Sequence, residues 1–284
     1  MKLTKSCEHC LLSRVDLECS LAGASPEMSS LIREECRQIL SDLWNSELLH
    51  PQIASCIHRH ACRRTGNPDQ FQSLKAEGNR QALAVCRAKK ADLLTFKDRV
   101  LASVIANTFD YGVHNHTVDG DFFSFFVREF EKGLTVDHTD RILSLAGRVV
   151  YLTDNCGEIV FDRLVVEFLK TRGSHITLAV REAPILNDAT LEDASSLHFD
   201  RYVDHLTTTG GGAEIGLDWY KMPADLSDAI DRCTVIIAKG MANYESLSMY
   251  HNLPPVAYLM AVKCQPVAED VGYPVGSRIA LLRE

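Results

Sequence analysis

Residues 151–162 read YLTDNCGEIVFD, and this stretch decides how the chain is organised. It completes a short apolar, β-branched run from Arg148 to Thr153, which predicts a buried strand. The strand runs straight into Asp154-Asn155, then Gly157, then a helical pattern over 157–170. Toward the C-terminus the alternation continues. ITLAVR at 176–181 reads as a strand and 187–195 as a short helix. Residues 201–204 read as a strand edge, CTVIIA at 233–238 as a strand, and 242–250 as a helix. The last strands are expected at 256–262 and 279–282. Strands and helices in this order imply a mainly parallel α/β sheet covered on both faces.

Toward the N-terminus the pattern changes. Residues 27–46 place Leu31, Ile32, Cys36, Ile39, Leu40 and Leu43 at helical spacing, and Pro51 breaks the run. Further helices are expected over 51–63, from Asn67-Pro68 onward, over 92–109 and over 119–132, with no strand before 147. Gly133, Asp137, Asp140 and Gly147 interrupt the periodicity. The expected division is a helical part over 1–140 and an α/β part over 141–284.

The totals set limits. A chain of 284 residues with 46% apolar and 24% charged residues is an ordinary folded protein. Its net charge of −8 argues against a nucleic-acid partner, which needs a basic surface. A small anion is still acceptable, because a metal ion and a few cations invert the charge of one pocket. No long uncharged apolar run predicts a membrane span. The N-terminus soon meets Arg14 and Asp16, unlike a signal peptide. A cytoplasmic protein is expected, and its ten cysteines read as reduced thiols or metal ligands. Cys233 and Cys264 sit in apolar patterns and read as core. Cys7 and Cys10 form a C-x-x-C pair, half of a typical zinc or iron–sulfur site, which Cys19 or the segment 56–62 could complete in space. Free thiols are the simpler reading. The pair precedes the helical part and is expected to lie apart from the chemistry.

Three strand tips carry that chemistry. In open α/β sheets, ligands bind beyond the carboxyl ends of strands. Asp154 puts a hard oxygen ligand there, and Asn155 adds a carbonyl oxygen. Gly157 permits a tight turn and leaves helix N-terminal N–H groups for an anion. Glu158 follows one turn into the helix. The plain alternative is that Asp154 or Asn155 caps the helix. The second tip brings Arg181 and then Asn187-Asp188, with Asp188 either a third oxygen ligand or another cap. The third brings Lys239-Gly240, followed by Asn243 and Glu245. Acids for a metal and cations for an anion on one edge form the composition of a phosphoryl site. The glycine-rich loop TTTGGGAEIG at 207–216 fits neither a P-loop nor a dinucleotide fingerprint.

The segments DNCGEIVFD, VREAPILNDATLEDA, KGMANYE and KCQPVAEDVGYPVG, with IANTFDYGV at 105–113, resemble the archaeal-type branch of the metal-dependent damage-control phosphatases. That family was long known only as a domain of unknown function. The resemblance covers nearly the whole chain, including the Cys-x-x-Cys start. It implies a three-layer α/β/α, Rossmann-like domain with an N-terminal helical subdomain. It also implies metal ligation by Asp154, Asn155 and Asp188. Glu158, Arg181, Lys239 and Asn243 would surround the phosphate, with Asn107 and Asp110 reaching in from the helical part. Glu245 is ambiguous, since other branches carry a basic residue there.

The expected activity is hydrolysis of small phosphometabolites, sugar phosphates or damaged esters. The metal is Mg²⁺ or Mn²⁺ by ligand type, with Ni²⁺ or Co²⁺ also accommodated. Asp154, Glu158 and Lys239 form the catalytic set. Water or Asp154 itself is the nucleophile, with Glu158 or Asp188 as base. A non-catalytic metabolite- or metal-binding protein would use the same pocket. A methyltransferase would want a glycine motif after the first strand and an acid after the second; Asp-Asn and Arg stand there instead.

Overall fold

Unbroken runs of Val, Ile, Leu and Ala cannot leave one face in water, and their strands here are buried along nearly their whole length. The computed structural model describes residues 3–108 and 122–284. Asp110 and the first residues of the helix expected from 119 lie outside the described residues. In chain order the helices and strands are α1 (Lys5–Leu21), α2 (Pro26–Leu43), α3 (His50–Thr65), α4 (Gln72–Ala88), α5 (Phe96–Thr108), α6 (Phe122–Lys132), β1 (Val136–Asp137), α7 (Thr139–Leu145), β2 (Arg148–Leu152), α8 (Glu158–Thr171), β3 (His175–Val180), α9 (Leu191–Ser196), β4 (His205–Thr208), α10 (Ala224–Arg232), β5 (Val235–Lys239), α11 (Gly240–Leu247), β6 (Val256–Ala261), α12 (Gln265–Val271) and β7 (Arg278–Arg283).

The strands form one mainly parallel sheet in the order β1-β7-β6-β5-β2-β3-β4. Only the pairing of β7 with β6 is antiparallel among the described strands. From β2 the chain proceeds to β3 and β4 on one side, while β5 and β6 lie on the other. The order reverses between β2 and β5, and a crevice opens beyond their carboxyl ends.

Alternate side chains of β2 serve opposite faces, as a pleat requires. Val149 and Tyr151 join a core with Phe96, Val104, Phe126 and Phe161. Val150 and Leu152 join a second with Leu226, Tyr244, Tyr258 and Val267. Helices α4, α5, α6 and α8 thus cover one face, and α10, α11 and α12 the other. Helices α1, α2 and α3 pack around their own core of Leu12, Val15, Ile32, Cys36, Ile53 and Ile57. Helix α3 then rests against α11, which brings this bundle over the crevice.

Several elements depart from the sequence reading. Helix α1 went unread because its inward positions include Cys7, Glu18 and Cys19, which weaken the apolar period. Helices α7, α10 and α12 were also unread, and the short strand β1 lies before residue 147, where no strand was expected. The fourth strand lies at 205–208, not 201–204. The third expected helix starts at Gln72 because Asn67 Oδ1 accepts from Asp69 N–H and holds a turn. The helix expected from 187 starts at Leu191, where Thr190 and Asp193 close its N-terminus.

Candidate active site

Two loops leave adjacent strand tips and pair with each other. Asn155 and Asp188 form an isolated antiparallel bridge. Ala189 N–H donates to the Asp154 carbonyl at 2.8 Å, and Cys156 N–H donates to the Asn187 carbonyl at 2.8 Å. This backbone pairing fixes Asp154, Asn155 and Asp188 together, and all three line one cavity of about 220 Å³. None of them caps a helix: Gly157 holds the N-cap position of α8 and Thr190 that of α9. Leu186, in the second loop, adopts φ 49° and is held there by burial against Phe71 and Ile185.

A network of buried polar groups stands behind the three. Asn107 Nδ2 donates to Asp154 Oδ2 at 3.2 Å and to Glu158 Oε2 at 2.6 Å. Asn155 Nδ2 donates to the same two oxygens at 2.8 and 3.2 Å. Lys239 Nζ is 2.9 Å from Glu158 Oε1 and 2.9 Å from Asp162 Oδ1. Arg181 donates from Nε to Asp188 Oδ2 at 2.6 Å and from Nη1 to the Gly216 carbonyl. Its Nη2 lies 3.6 Å from Asp154 Oδ1 and has no hydrogen-bond partner among the described residues. Asn243 Nδ2 ties the Thr153 and Lys239 carbonyls together at 3.0 and 2.7 Å. Gly240 supplies the clearance for all this. It sits at φ 73°, and a Cβ there would fall 1.8 Å from Asp154 Oδ2.

The electrostatics single out Asp154. Burial raises its pKa well above the ordinary carboxylate range, and the charges of Asp188 and Glu158 raise it further. Arg181 and Lys263 pull it back. Asp154, Asp188 and the Asn155 amide offer a hard, all-oxygen set, which suits Mg²⁺ or Mn²⁺. Among the described residues no three His, Cys, Asp or Glu side chains form a metal cage. The set holds only two acids, and Mg²⁺ is commonly bound through one or two carboxylates together with waters and substrate phosphate.

Of the residues singled out by sequence, Asp154, Asn155 and Asp188 reach the cavity. Glu158, Lys239, Arg181, Asn243 and Asn107 are joined to them but are buried behind the wall. The N–H groups after Asn155 are not open to an anion as expected: Gly157 N–H donates to Asn79 Oδ1 on α4 at 2.6 Å. Nor do Cys7 and Cys10 lie apart. They line the same cavity, because α1 folds back across the bundle toward the sheet edge, and Cys264 joins them. Burial pushes the Cys264 thiol up to about 11. The sequence reading also missed Lys263, which follows β6 on the edge that holds the other strand tips. It missed His50, whose Nδ1 meets Glu245 Oε1 at 3.0 Å and joins α3 to α11 across the cavity wall. A Lys two residues past a strand was a usable signal; the His50–Glu245 pair had none.

The model of the damage-control phosphatase ARMT1-like domain matches residues 3–279. The chain belongs to this family. A damage-control phosphatase of Archaeoglobus fulgidus is 39% identical over the full length of both chains. Another of the family, from Pyrococcus horikoshii, is 25% identical, covering 99% of this chain and 98% of the relative. The crystal structure of a P. horikoshii protein described as belonging to the DUF89 family has the same fold. It superposes with a TM-score of 0.90 at 24% identity and full coverage of both chains. No helix among the described residues is long and apolar enough to cross a membrane.

Proposed function

We propose that this member of the phosphatase family is a divalent-cation-dependent phosphomonoester hydrolase acting on small phosphorylated metabolites in the cytoplasm, sugar phosphates or damaged esters. The observation that carries this reading is the meeting of Asp154, Asn155 and Asp188 in one cavity with Arg181 and Lys263 acting on the same carboxylate. Asp154, Asp188 and the Asn155 amide oxygen would hold Mg²⁺ or Mn²⁺, and Ni²⁺ or Co²⁺ would also accept these donors. Bound there, the cation supplies Lewis acidity to a phosphoryl oxygen.

The chain's own groups do the rest. Arg181 is committed to Asp188 and Gly216, and its Nη2 lies 3.6 Å from Asp154 Oδ1, so it holds the two acids in place from behind the wall. Lys263 adds positive charge at the cavity. Glu158 receives Asn107, Asn155 and Lys239, so it orients the Asn155 amide rather than serving as base. Lys239 neutralises that carboxylate from behind. Asn107 clamps Asp154 and Glu158 to the helical layer. The negative surface and the cavity volume favour a small metabolite over nucleic acid.

The test is phosphate release from a panel of phosphometabolites, with several divalent cations and with chelator. Activity should vanish with chelator, and Asp154→Ala should lose on the order of a thousandfold or more. Chelator-resistant turnover, or a folded Asp154→Ala enzyme within about tenfold of wild type, removes the reading. Binding of phosphate esters without any release would support a non-catalytic binding protein.

A further inference from the structure

Helix α4 contributes nothing to the wall of the Asp154 cavity, yet two of its side chains reach the loops that carry Asp154, Asn155 and Asp188. Lys75 and Asn79 stand one turn apart and share a face of the helix. Asn79 Oδ1 accepts from Gly157 N–H at 2.6 Å, two residues after Asn155. A Cβ added to Gly157 would lie 3.6 Å from the Gly78 backbone, so α4 runs in contact with the first loop there. Lys75 serves the second loop. Its Nζ, on a side chain only 6% exposed, lies 3.1 Å from Asp69 Oδ2 and 3.2 Å from Asp193 Oδ2. The same Asp193 oxygen accepts from Thr190 N–H at 2.9 Å and from Thr190 Oγ1 at 2.8 Å, two residues after Asp188. The Asn155–Asp188 bridge fixes the two loops only against each other. Asp154 and Asp188 repel once both are ionised, and Arg181 beside them offsets only part of that.

We propose that Asn79 and Lys75 are positioning residues of the cation site: from one face of α4 they hold the two ligand-bearing loops in place before a cation arrives. This rests on the reading of Asp154, Asn155 and Asp188 as cation ligands and deepens it. Neither side chain reaches the cavity, so each acts through the loop it holds. An outer partner of this kind sets the orientation of a ligand, and its loss typically costs about 10–100-fold in metal affinity.

The experiment measures Mn²⁺ affinity from the electron paramagnetic resonance signal of the free ion, with no substrate present. Asn79→Leu keeps the side-chain volume and removes the acceptor, and it should bind Mn²⁺ at least about tenfold more weakly than wild type. Asn79→Asp keeps an acceptor oxygen at the N-terminus of α8, where negative charge is favoured, and should stay within about threefold of wild type. Asp69→Asn/Lys75→Met removes one charge of each sign and releases Asp193, and a loss of about tenfold is again expected. The rise in Tm on adding Mn²⁺ should shrink in step, whereas a merely structural role lowers Tm equally with and without the ion. A measurement on the wild-type protein covers the case in which the variants fail to fold. The Gly157 and Thr190 amides should exchange with deuterium as slowly without Mn²⁺ as with it, because α4 has already ordered both loops. Four results overturn the proposal and leave the cation reading standing: wild-type affinity in Asn79→Leu or in Asp69→Asn/Lys75→Met, equal losses in Asn79→Leu and Asn79→Asp, a Tm penalty that ignores Mn²⁺, or amides protected only once Mn²⁺ is added. Wild-type protein that binds no Mn²⁺ takes both down.

Discussion

Asp154 and Asp162 stand on either side of the first turns of α8, both buried, yet their charges are met in different ways. Asp162 has its counter-charge inside the core. Its Oδ1 accepts from Ser103 Oγ at 2.6 Å and Tyr151 OH at 2.7 Å and pairs with Lys239 Nζ. Burial raises its pKa, and the strongest neighbouring charge, Lys239, pulls it down. For Asp154 burial also comes first, but the next two influences, Asp188 and Glu158, are acids that raise it again. One carboxylate has its counter-charge supplied by the chain, although its Oδ2 has no hydrogen-bond partner among the described residues. The other lines a cavity beside a second acid, and under the proposed function its charge would be met by a cation from outside. The contrast separates a structural ion pair from a binding site within one strand–turn–helix unit.

The sharpest way to break the contrast is to disturb Asp154 without touching any charge. Gly240→Ala does this, since its Cβ would fall on the Asp154 carboxylate. The displaced ligand should lower kcat/KM by on the order of a thousandfold, close to the loss from Asp154→Ala. Circular dichroism should report a folded protein. A Gly240→Ala enzyme with near-normal turnover would mean that the carboxylate position is not what matters.

Next in size is the effect of removing the internal cation. Lys239→Met leaves Glu158 and Asp162 facing each other without compensation in the core. It should cost about 3 kcal/mol or more of stability, as breaking a buried pair does. Urea denaturation measures this directly. A variant as stable as wild type, but slow, would shift Lys239 from the structural side of the comparison to the catalytic one.

The smallest effect is the pH response of the cation site. A carboxyl whose pKa is raised on folding favours the folded state while protonated. That contribution is complete below its unfolded value of about 3.9 and is lost as pH rises through the folded value. The cation-free protein should therefore lose stability as pH rises above the ordinary carboxylate range. Asp154→Asn, which does not titrate, should lack that component. Because a cation competes with the proton for Asp154, Mn²⁺ should raise Tm more at about pH 8 than at about pH 5. A difference of about 1 kcal/mol corresponds to roughly 2–4 °C for a chain of this size. Scanning fluorimetry of wild type and Asp154→Asn gives the answer. A Mn²⁺ shift that ignores pH, or that survives unchanged in Asp154→Asn, removes the distinction between the two carboxylates.

The sequence by itself determined the parallel sheet, since apolar β-branched runs such as RVVYLT and CTVIIA can only be buried on both faces. It also determined which strand tips carry acids and cations, because chemistry at a sheet edge is written in the residue that follows each strand. Helix α1 was illegible because thiols and a glutamate occupy its inward positions, and the period of apolar side chains fails there. The division of labour among the site residues was decided by the tertiary structure. Whether Lys239 meets a phosphate or Asp162 depends on α5 and α8 closing around it. Whether Asp188 caps a helix or faces Asp154 depends on the Asn155–Asp188 bridge between two loops. Cys7, His50 and His58 enter the cavity wall only because the helical bundle is laid across the crevice. Such placements arise from packing between segments far apart in the chain, and local spacing carries no record of them.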